Sequence, residues 1–457
     1  MSLPSGAAAV SRGRPARIRA RLARSSFVAI VLAACLSLVV YMGAAAKDIA
    51  VAFYFGRSDG LDAFVLALTV FVFLVNNIGT SFAAAVVPVF IDEREHRGGA
   101  AGRHVLANVM FLNGACLLVA GALAGLCAPV LLSFIAGSFT PEKRDLTTHL
   151  MLLLVPALLV TGVTSIWGPA LNAHGRFAVP AITPIFGSIA TLLFLLLFGS
   201  GLGPQVLAFG VLAGTLIELC ALGIYMRHLG LLFFPHWTGF DAPTRSVMRQ
   251  IGPLAMAGCV SMGAVVVDQA MAATLGTGAV SALNYGTKVA TVPLGLASVG
   301  ITSVLFPQFA QLSVAGDRAG LRRLFLTYLG LAIAASMIAC AVIVVYSEQI
   351  IGAVFQHGVF SQSDTELVSA VQRLFAFQLP FHVGGLIAAR LLSALRLNHV
   401  LVMIGSFSLV ADVVLDWVLM QFFGLPGIAL ATTVVFIGTF TLLMVAVNRA
   451  LRLVRSA

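Results

Sequence analysis

Residues 27–90 contain two long apolar runs joined by a short polar turn: FVAIVLAACLSLVVYMGAAAKDIAVAFYF (27–55), GRSDG (56–60) and LDAFVLALTVFVFLVNNIGTSFAAAVVPVF (61–90). Each run exceeds the roughly 20 apolar residues that a helix needs to cross the hydrocarbon core of a bilayer. A segment inside a bilayer must satisfy its own backbone hydrogen bonds, and a helix does so. The stretch therefore predicts two antiparallel membrane-spanning helices with a tight turn between them.

The first run carries two adjacent charges, Lys47 and Asp48, in the half that leads to the turn. Charged side chains inside a span are expensive and by default face a bundle interior or a water-filled cavity. A similar layout recurs later in the chain: Gly56 follows Asp48 by eight positions, and Gly276 follows Asp268 by eight positions. We interpret the chain as a duplicated unit, and in each copy the first two helices line a shared cavity.

The composition is typical of a polytopic membrane protein. Of the 457 residues, 60% are hydrophobic and only 10% are charged, whereas soluble domains are about half apolar and a quarter charged. The net charge of +10 does not indicate a nucleic-acid partner, because the basic residues fall almost wholly between apolar runs, where membrane orientation explains them. All six cysteines lie in apolar runs without metal-ligand spacing, and we interpret them as packing residues.

Twelve apolar runs are long enough to span a membrane. They predict an all-α integral membrane protein with two pseudo-symmetric six-helix bundles around a central cavity. The predicted domains are a basic cytoplasmic arm (1–26), an N-terminal bundle (27–226), a cytoplasmic linker (227–248), a C-terminal bundle (249–448) and a basic cytoplasmic tail (449–457). The predicted spans are 27–55, 61–90, 104–134, 147–171, 180–200, 203–226, 249–275, 279–311, 323–346, 366–395, 399–422 and 425–448.

The distribution of basic residues predicts the orientation. With the N-terminus in the cytoplasm, most of the 27 Lys and Arg residues lie in cytoplasmic segments or their flanks. The outer segments and flanks hold only Arg57, Lys143, Arg144 and Arg373. An excess of basic residues on the cytoplasmic side is the usual sign of orientation in membrane proteins. We therefore expect an even number of spans and two cytoplasmic termini.

Two lysines within spans predict a substrate site. Lys47 and Lys288 both lie in the outer half of their spans, at similar depth. A lysine ammonium is a compact charge that suits phosphate, so the pair predicts a cationic cavity for an anionic headgroup such as a diphosphate. In the alternative, structural interpretation, Lys47 pairs with Asp48 or Asp62, and Lys288 pairs with Asp268. The predicted substrate-binding residues are Lys47, Asp48, Asp62, Asn76, Asn77 and Lys288.

Three acidic residues, Asp268, Asp412 and Asp416, lie within spans of the second half. Asp412 and Asp416 are four residues apart and so share one face of a helix. Two carboxylates on one face require a cation or protons between them, and Thr432 on the last span offers a hydroxyl ligand. The pattern predicts a site for Na⁺ or H⁺, with neutral acids hydrogen-bonded between helices as the alternative. No tightly bound cofactor is expected.

Other polar and proline residues within spans add to this outline. Asn76 and Asn77 lie mid-span, where an asparagine either contacts a sugar or forms interhelical hydrogen bonds. Pro253 and Pro293 lie in two of the spans that carry charges, and we predict that they act as hinges for alternating access.

The sequence contains no P-loop, Gly-rich dinucleotide motif or His-Glu zinc motif. We therefore expect a transporter rather than an enzyme.

Several motifs resemble the MurJ/MviN family of lipid-linked peptidoglycan-precursor flippases, within the multidrug/oligosaccharidyl-lipid/polysaccharide (MOP) exporter superfamily. They are Lys47-Asp48 before Gly56 and Asp62-Ala63-Phe64, LNAHGRFAVPAITP (171–184), Tyr285 and Lys288 before PLGLASVGITSVLFP (293–307), VFQHGVF (354–360) and GLPGIALATT (424–433). The resemblance implies a V-shaped pair of six-helix bundles in the bacterial inner membrane, whose cavity faces each side in turn. The resemblance also implies that Lys47 and Lys288 stand where the family usually has cavity arginines. Four further residues match a sodium site proposed for some members of the family: Asp268, Asp412, Asp416 and Thr432.

The implied cargo is a polyprenyl-diphosphate-linked saccharide, either a lipid II-like peptidoglycan precursor or an exopolysaccharide repeat unit. The resemblance implies transfer from the inner to the outer leaflet, driven by the membrane potential or an ion gradient. Membrane lipid is the other expected partner, and the expected state is a monomer without nucleic acid. The sequence departs from the family in having cavity lysines instead of arginines, and twelve predicted spans where the family usually has fourteen. Two alternatives stay open: a drug/cation antiporter of the same superfamily, and a non-transporting scaffold of cell-wall synthesis.

Overall fold

The computed structural model describes residues 16–199 and 201–453, and every regular element in this part of the chain is helical. Residues 1–15 of the predicted arm and 454–457 of the predicted tail lie outside the described residues. The elements are α1 (Ala16–Phe55), α2 (Asp59–Leu74), π1 (a π-helical segment, Val75–Gly79), α3 (Thr80–Arg97), α4 (Gly99–Leu126), α5 (Ala128–Ile135), α6 (Pro141–Ala173), α7 (Ala178–Ile182), α8 (Ile185–Phe198), α9 (Gln205–His228), α10 (Ala242–Ala273), α11 (Ala279–Gly300), π2 (π-helical, Ile301–Leu305), α12 (Phe306–Val314), α13 (Arg318–Val345), α14 (Ser347–Phe355), α15 (Gln362–Ala376), α16 (Leu379–Ala394), α17 (Asn398–Phe423) and α18 (Leu425–Leu453).

The all-α membrane fold is confirmed, but the predicted number of twelve spans is not. Within the described residues, ten helices are long and apolar enough to cross a membrane, or eleven if the bent helix α10 counts as one span. The predicted span 279–311 is not among them, and the structure forms it as α11, π2 and α12. Its first half carries Asn284, Thr287 and Lys288, and these polar side chains make the segment less apolar than the other spans.

The two ends of the molecule differ in how the N-terminal and C-terminal halves pack. We call the end that carries residues 56–58 and 274–278 the turn end, and the end that carries residues 229–241 the linker end. At the turn end, one hydrophobic core contains residues of both halves, including Leu66 and Tyr285. At the linker end, separate cores form in the N-terminal half and in the C-terminal half. Among the described residues, buried apolar residues of both halves therefore share one core at the turn end, whereas at the linker end only the start of α10, through Ile251, packs on the N-terminal core.

The linker between the halves lies against the N-terminal half. Asn108 of α4 is fully buried, and its side-chain nitrogen donates to Gly239 O and to Thr244 Oγ1, each at 2.8 Å. Its side-chain oxygen accepts a hydrogen bond from Thr238 N at 3.1 Å. One buried side chain thus binds three groups of the linker and of the first turn of α10. The start of α10 is therefore held on α4, although α10 leads into the C-terminal half.

Asp241 caps the first turn of α10 at the linker end. Its Oδ1 accepts a hydrogen bond from Thr244 N at 2.9 Å, and its Oδ2 lies 3.3 Å from His104 Nε2. Partial burial favours the neutral acid, but the hydrogen bonds from Thr244 and the adjacent His104 outweigh it. The pKa of Asp241 is therefore lower than the ordinary value for aspartate.

Candidate functional site

Two lysines and one aspartate form an ion-paired cluster between α1 and α11. Lys47 Nζ lies 3.0 Å from Asp48 Oδ1, and Lys288 Nζ lies 3.1 Å from Asp48 Oδ2. The lysine side chains are 24% and 33% exposed, so neither is fully enclosed by the protein. The cluster contains two positive charges and one negative charge, so its net charge is positive. The structure thus brings together three of the residues that the sequence predicts for substrate binding.

Helix length explains why the two lysines meet. Lys47 lies eight residues before the end of α1 at Phe55, and Lys288 lies nine residues after the start of α11 at Ala279. At a rise of about 1.5 Å per residue, both lie roughly 12–14 Å from the turn end. Further along α11, a Cβ atom at Gly295 would lie 2.0 Å from the hydroxyl oxygen of Tyr41. Glycine at this position therefore lets α1 and α11 approach closely enough for the ion pairs.

Asp62 lies at the turn end, outside this cluster, and its side chain is 0% exposed. Its Oδ2 accepts hydrogen bonds from Lys143 Nζ at 2.9 Å and Gly278 N at 2.7 Å, and its Oδ1 accepts one from Ser281 N at 2.8 Å. Backbone N–H groups at a helix N-terminus lack partners within the helix, and a carboxylate there also interacts favourably with the helix dipole. Asp62 therefore links α2 to α6 and to the start of α11, which leaves no free face for a substrate in this conformation.

Further polar contacts close the turn end between the two halves. Arg57 donates a hydrogen bond from Nε to Gly278 O at 3.3 Å, and its Nη1 lies 3.2 Å from Asp364 Oδ1. The backbone nitrogen of Val359 donates to Phe53 O at 3.1 Å. These contacts join the end of α1 and the α1–α2 turn to the start of α11, to the segment between α14 and α15 and to the first turn of α15. The turn end is therefore closed by specific hydrogen bonds as well as by the shared apolar core.

Asn76 and Asn77 lie in π1, and their amide nitrogens are used within their own helix. Asn76 donates to Val72 O at 3.0 Å, and Asn77 donates to Phe73 O at 2.9 Å. A Cβ atom at Gly258 of α10 would lie 2.6 Å from Asn77 Oδ1, so Asn77 also packs directly on α10. Within the described residues, neither side chain forms the interhelical hydrogen bond that was one interpretation of these asparagines, and Asn77 Oδ1 is buried without a hydrogen-bond partner. The structure also does not bring them into contact with the lysine cluster.

The three acids of the second half come together between α10 and α17. Asp268, Asp412 and Asp416 each offer a carboxylate oxygen within 4.8 Å of the other two, and all three side chains are buried. Four of their six carboxylate oxygens, including both of Asp416, form no hydrogen bond and are inaccessible. None of the described basic residues is ion-paired with them. Carboxylates at this spacing repel one another unless a cation or protons lie between them.

The three carboxylates of this acid cluster fit a hard cation, because such cations prefer oxygen ligands. Thr432 on α18 is also buried, and its hydroxyl donates to Ile428 O at 3.0 Å. Its oxygen therefore remains available only as an acceptor. The neighbouring Thr433 donates to Leu374 O at 2.6 Å and so packs α18 on α15. The unpartnered carboxylate oxygens are the observation that supports a cation or protons at this position.

The predicted hinge prolines lie in helices that are irregular elsewhere. Helix α10 bends by 41° between Val260 and Met262. Pro253 lies seven residues before Val260, although a proline usually bends the helical turn that precedes it. Pro293 lies inside α11, two turns before π2. Single π-helical segments often occur at functional sites, and among the described residues each half contains one.

A cavity of about 170 Å³ lies between α2 and the α10–α11 pair. Its polar lining residues are Thr69, Gln269 and Asn284, and the other lining residues are apolar. The sequence pattern does not single out these three. Two signals nevertheless lie next to them, since Gln269 follows Asp268, and Asn284 precedes Lys288 by one helical turn.

A second cavity, of about 420 Å³, lies between α11, π2, α13 and α16 on the C-terminal half. Its lining is mainly apolar. The hydroxyl of Ser336, one of the polar groups in the lining, donates to Ala332 O at 2.7 Å. This cavity therefore offers few polar groups for a charged headgroup.

Comparisons with known proteins agree on one family. The sequence profile of the family described as "Lipid II flippase MurJ" matches residues 51–457. A protein of Buchnera aphidicola subsp. Acyrthosiphon pisum, named "Probable lipid II flippase MurJ", is 23% identical over 403 residues, which cover 87% of this chain and 79% of that protein. The solved structure of a lipid II flippase MurJ in an inward closed conformation matches with a TM-score of 0.81 at 20% identity, covering 92% of this chain and 87% of that one. An inward-facing multidrug resistance MATE family transporter of the MOP superfamily matches with a TM-score of 0.72 at 14% identity, covering 93% and 99%. The two structures share the fold of this chain.

Proposed function

Because this chain belongs to the lipid II flippase MurJ family, we propose that it moves a polyprenyl-diphosphate-linked saccharide from the inner to the outer leaflet of a bacterial inner membrane. Membership of this family makes the protein a multi-pass membrane transporter of a lipid-linked precursor, and not an enzyme. The observation that carries the proposal is the cluster of Lys47, Asp48 and Lys288. In it, two lysines from different halves share one carboxylate at a partly exposed position.

A diphosphate headgroup can replace Asp48 as the partner of both lysines. Each lysine is bound by a different oxygen of the same carboxylate, so a ligand with two adjacent phosphates can accept both ammonium groups. Hydrogen bonds between ammonium and phosphate are charge-assisted and stronger than neutral ones. Without a ligand, Asp48 lowers the penalty of placing two positive charges inside the membrane. Since Lys47 lies on α1 and Lys288 on α11, a headgroup bound to both would couple the positions of the two halves.

Transfer to the other leaflet requires the turn end to open. In this conformation Asp62, Arg57 and the shared core join the halves at the turn end. We propose that these contacts break as the halves rotate, while the linker end closes. The predicted hinges Pro253 and Pro293 and the 41° bend of α10 are the points at which we expect the helices to flex.

The energy source in this proposal is a cation gradient, the membrane potential or both. Asp268, Asp412 and Asp416 are the residues that would bind a coupling Na⁺ or protons, with Thr432 as an additional oxygen ligand. A bound cation would supply the positive charge that lets the three carboxylates remain close. Because Asp268 lies on α10 and the other two acids lie on α17, the acid cluster ties the bent helix to the C-terminal half. The membrane potential adds about 2.3 kcal/mol per elementary charge and 100 mV for any charge that crosses with the headgroup.

A drug/cation antiporter is the second candidate, and the acid cluster and the match to a MATE transporter fold favour it. The net positive charge around Lys47 and Lys288 opposes it, because a cationic drug would be repelled there.

Within the flippase proposal, an exopolysaccharide repeat unit has the same diphosphate linkage as a peptidoglycan precursor. The lysine cluster therefore fits both cargoes equally. A non-transporting scaffold would need neither the lysine cluster nor the acid cluster.

The test combines direct binding with complementation. Purified protein should bind a polyprenyl diphosphate, and the double variant Lys47→Met, Lys288→Met should bind it at least tenfold more weakly, because each charged hydrogen bond contributes about 1.5–3 kcal/mol. Asp48→Asn is the matched control, since it removes the competing carboxylate and should bind as tightly as the wild type or more tightly. Equal binding by the double variant would overturn the headgroup site.

Complementation of a MurJ-depleted bacterium then identifies the cargo. Rescue by the wild type, with failure of the double lysine variant at equal expression, is the result expected for a lipid II cargo. A wild type that binds polyprenyl diphosphate but does not rescue would point to another lipid-linked saccharide. A wild type that neither binds nor rescues would favour the scaffold.

A further inference from the structure

The linker between the two halves carries an exposed aromatic cluster. Phe234, Trp237 and Phe240 are 67%, 37% and 52% exposed, and every third residue of this segment is thus an exposed aromatic side chain. The rings of Trp237 and Phe111 of α4 stack at 5.8 Å between centroids, and those of Trp237 and Phe240 meet edge to face at 4.9 Å. We call these four residues the linker aromatic cluster. A contiguous exposed apolar patch of this kind marks an interaction surface.

The backbone of the linker is fixed on the N-terminal half, so the cluster has a defined orientation. His236 N donates to Ala107 O of α4 at 3.2 Å, next to the hydrogen bonds of Asn108 described above. Phe233 is buried on the opposite side of the linker, where its ring meets that of Trp167 of α6 at 6.5 Å. The linker therefore packs one aromatic ring on the protein and presents the next three on the outside.

The depth of the cluster in the membrane follows from the length of α6. Lys143, paired with the buried Asp62 at the turn end, marks one side of the membrane. Trp167 lies 24 residues further along the same helix, which at about 1.5 Å per residue is roughly 36 Å. The hydrocarbon core of a bilayer is about 30 Å thick. Because Phe233 contacts Trp167, the linker lies at the level of the opposite membrane interface.

Unpaired arginines flank the linker aromatic cluster. Four of them are exposed and form no ion pair within the described part of the chain: Arg103, Arg227, Arg245 and Arg249. The acid of the linker, Asp241, is already bound by Thr244 N and His104. Arg245 and Arg249 are four residues apart in the first two turns of α10, so they share one face of that helix. Positive charge thus lies beside exposed aromatic rings at the linker end.

We propose that the linker is an interfacial anchor that binds the anionic lipid surface of the leaflet at the linker end. The linker aromatic cluster inserts among the lipid headgroups, and the flanking arginines bind lipid phosphates. Aromatic side chains favour the membrane interface, and a basic segment beside them adds attraction to anionic lipid. The anchor fixes the start of α10 at the membrane surface, because the linker leads directly into that helix. This inference goes beyond the proposed function and needs only the membrane fold.

Tryptophan fluorescence tests the anchor, because the chain has only three tryptophans. The variant with Trp167→Phe and Trp417→Phe keeps Trp237 alone. It is reconstituted in vesicles of equimolar phosphatidylcholine and phosphatidylglycerol, with bromine on the acyl chains of one lipid or of the other. Bromine quenches tryptophan at contact. We expect bromine on phosphatidylglycerol to quench Trp237 about two- to fivefold more strongly than bromine on phosphatidylcholine, because one arginine near an anionic surface favours anionic lipid about fivefold.

Paired arginine variants identify the residues responsible. Arg245→Gln with Arg249→Gln should reduce the ratio of the two quenching strengths toward one. Arg318→Gln with Arg322→Gln is the matched control, because it removes two exposed, unpaired arginines at the same spacing from the start of α13. This control should leave the ratio unchanged. Trp417, kept as the one tryptophan of another variant, is exposed on α17, a helix without Lys or Arg, and should be quenched equally by both lipids.

Three outcomes would overturn the inference. If neither brominated lipid quenches Trp237 but aqueous acrylamide does, the linker faces water or a protein partner. Equal quenching by both lipids would show apolar contact without recognition of anionic lipid. Loss of the ratio in the Arg318 and Arg322 control would show an effect of net charge only. Because Trp167 is buried, the same quenching is also measured as the difference between the wild type and Trp237→Phe, which leaves Trp167 in place.

Discussion

Replacing Asp62 by asparagine should open the turn end. The carboxylate accepts three hydrogen bonds, from Lys143 of α6, from Gly278 just before α11 and from Ser281 in the first turn of α11, and it is fully buried. Asparagine preserves the size of the side chain but removes its negative charge. An NH₂ group takes the place of one of the two carboxylate oxygens of Asp62. This NH₂ group can only donate, so it cannot accept the hydrogen bonds that the oxygen accepted. The buried ammonium of Lys143 then loses its buried counter-charge, and the start of α11 loses at least one acceptor.

The magnitude follows from the burial of the pair. Removing one partner of a buried ion pair costs about 3–5 kcal/mol. Lys143 keeps a second partner, Asp59, at 2.6 Å, so we expect the lower end, about 3 kcal/mol. Since about 1.4 kcal/mol corresponds to a factor of ten, the ratio of closed to open turn ends should fall roughly a hundredfold. Asp59→Asn is the matched control: it contacts the same lysine, but its side chain is 52% exposed, and exposed ion pairs contribute about 0–1 kcal/mol.

Cross-linking across the turn end measures this ratio. Phe53 and Val359 lie on different halves, and their backbones share a hydrogen bond of 3.1 Å. Cysteines at these two positions, in a background without the six native cysteines, should react readily with a short bifunctional thiol reagent in the closed state. Asp62→Asn should lower the rate of cross-linking strongly, and Asp59→Asn should leave it nearly unchanged. Cross-linking of Asp62→Asn at the wild-type rate would refute the assignment of Asp62 to closure, and an equal loss in both variants would refute the argument from burial.

Replacing Asn108 by alanine should destabilise the protein by roughly 2–4 kcal/mol, because three hydrogen bonds to the linker and α10 lose a buried partner; an unchanged melting temperature in detergent would contradict the linker contact. Gly214→Ala should also lower the melting temperature, because its Cβ would lie 2.4 Å from Gly187 Cα, whereas Gly187→Ala, whose Cβ has open space, should not. Equal effects of the two glycine variants would argue against close packing of α8 on α9 at this point. Asp416→Asn should abolish any rise in melting temperature that Na⁺, compared with choline, gives the wild type, as expected when a ligand binds only the folded state; an equal rise in both proteins would remove Asp416 from the cation site.

The membrane fold was predictable because it depends on local properties of the sequence. A run such as 61–90 is long and apolar enough to indicate a span without knowledge of its neighbours, and the structure forms it as one continuous stretch of α2, π1 and α3. The span count was less predictable where polar residues interrupt a helix. Segment 279–311 carries Lys288 and its polar neighbours. Composition alone therefore does not show whether this segment is an apolar membrane span or a less apolar helix that lines a cavity.

The site was predictable only in part. Charges within two spans do meet, since Asp48 contacts both Lys47 and Lys288, and the Lys47–Asp48 pair is the one that the structural interpretation predicted. Their role in substrate binding stays a prediction. The structure does not show the alternative pairing of Lys288 with Asp268, because Asp268 of α10 lies next to the two acids of α17. Asp62 pairs with Lys143 instead of Lys47. These pairings join residues from distant parts of the chain, and no spacing in the sequence encodes them.

The sequence by itself determined that the protein is an all-helical membrane transporter, which residues carry charge inside the membrane and, through its motifs, the family. These features follow from hydrophobic length and residue type, which act over one or two helical turns. Only the tertiary structure decided that Asp48 bridges two lysines, that Asp62 closes the turn end, and that Gln269 and Asn284 share a cavity with Thr69. The physical reason is that an ion pair or a cavity depends on the distance between helices, and that distance is set by packing at positions such as Gly295, where a missing side chain permits contact.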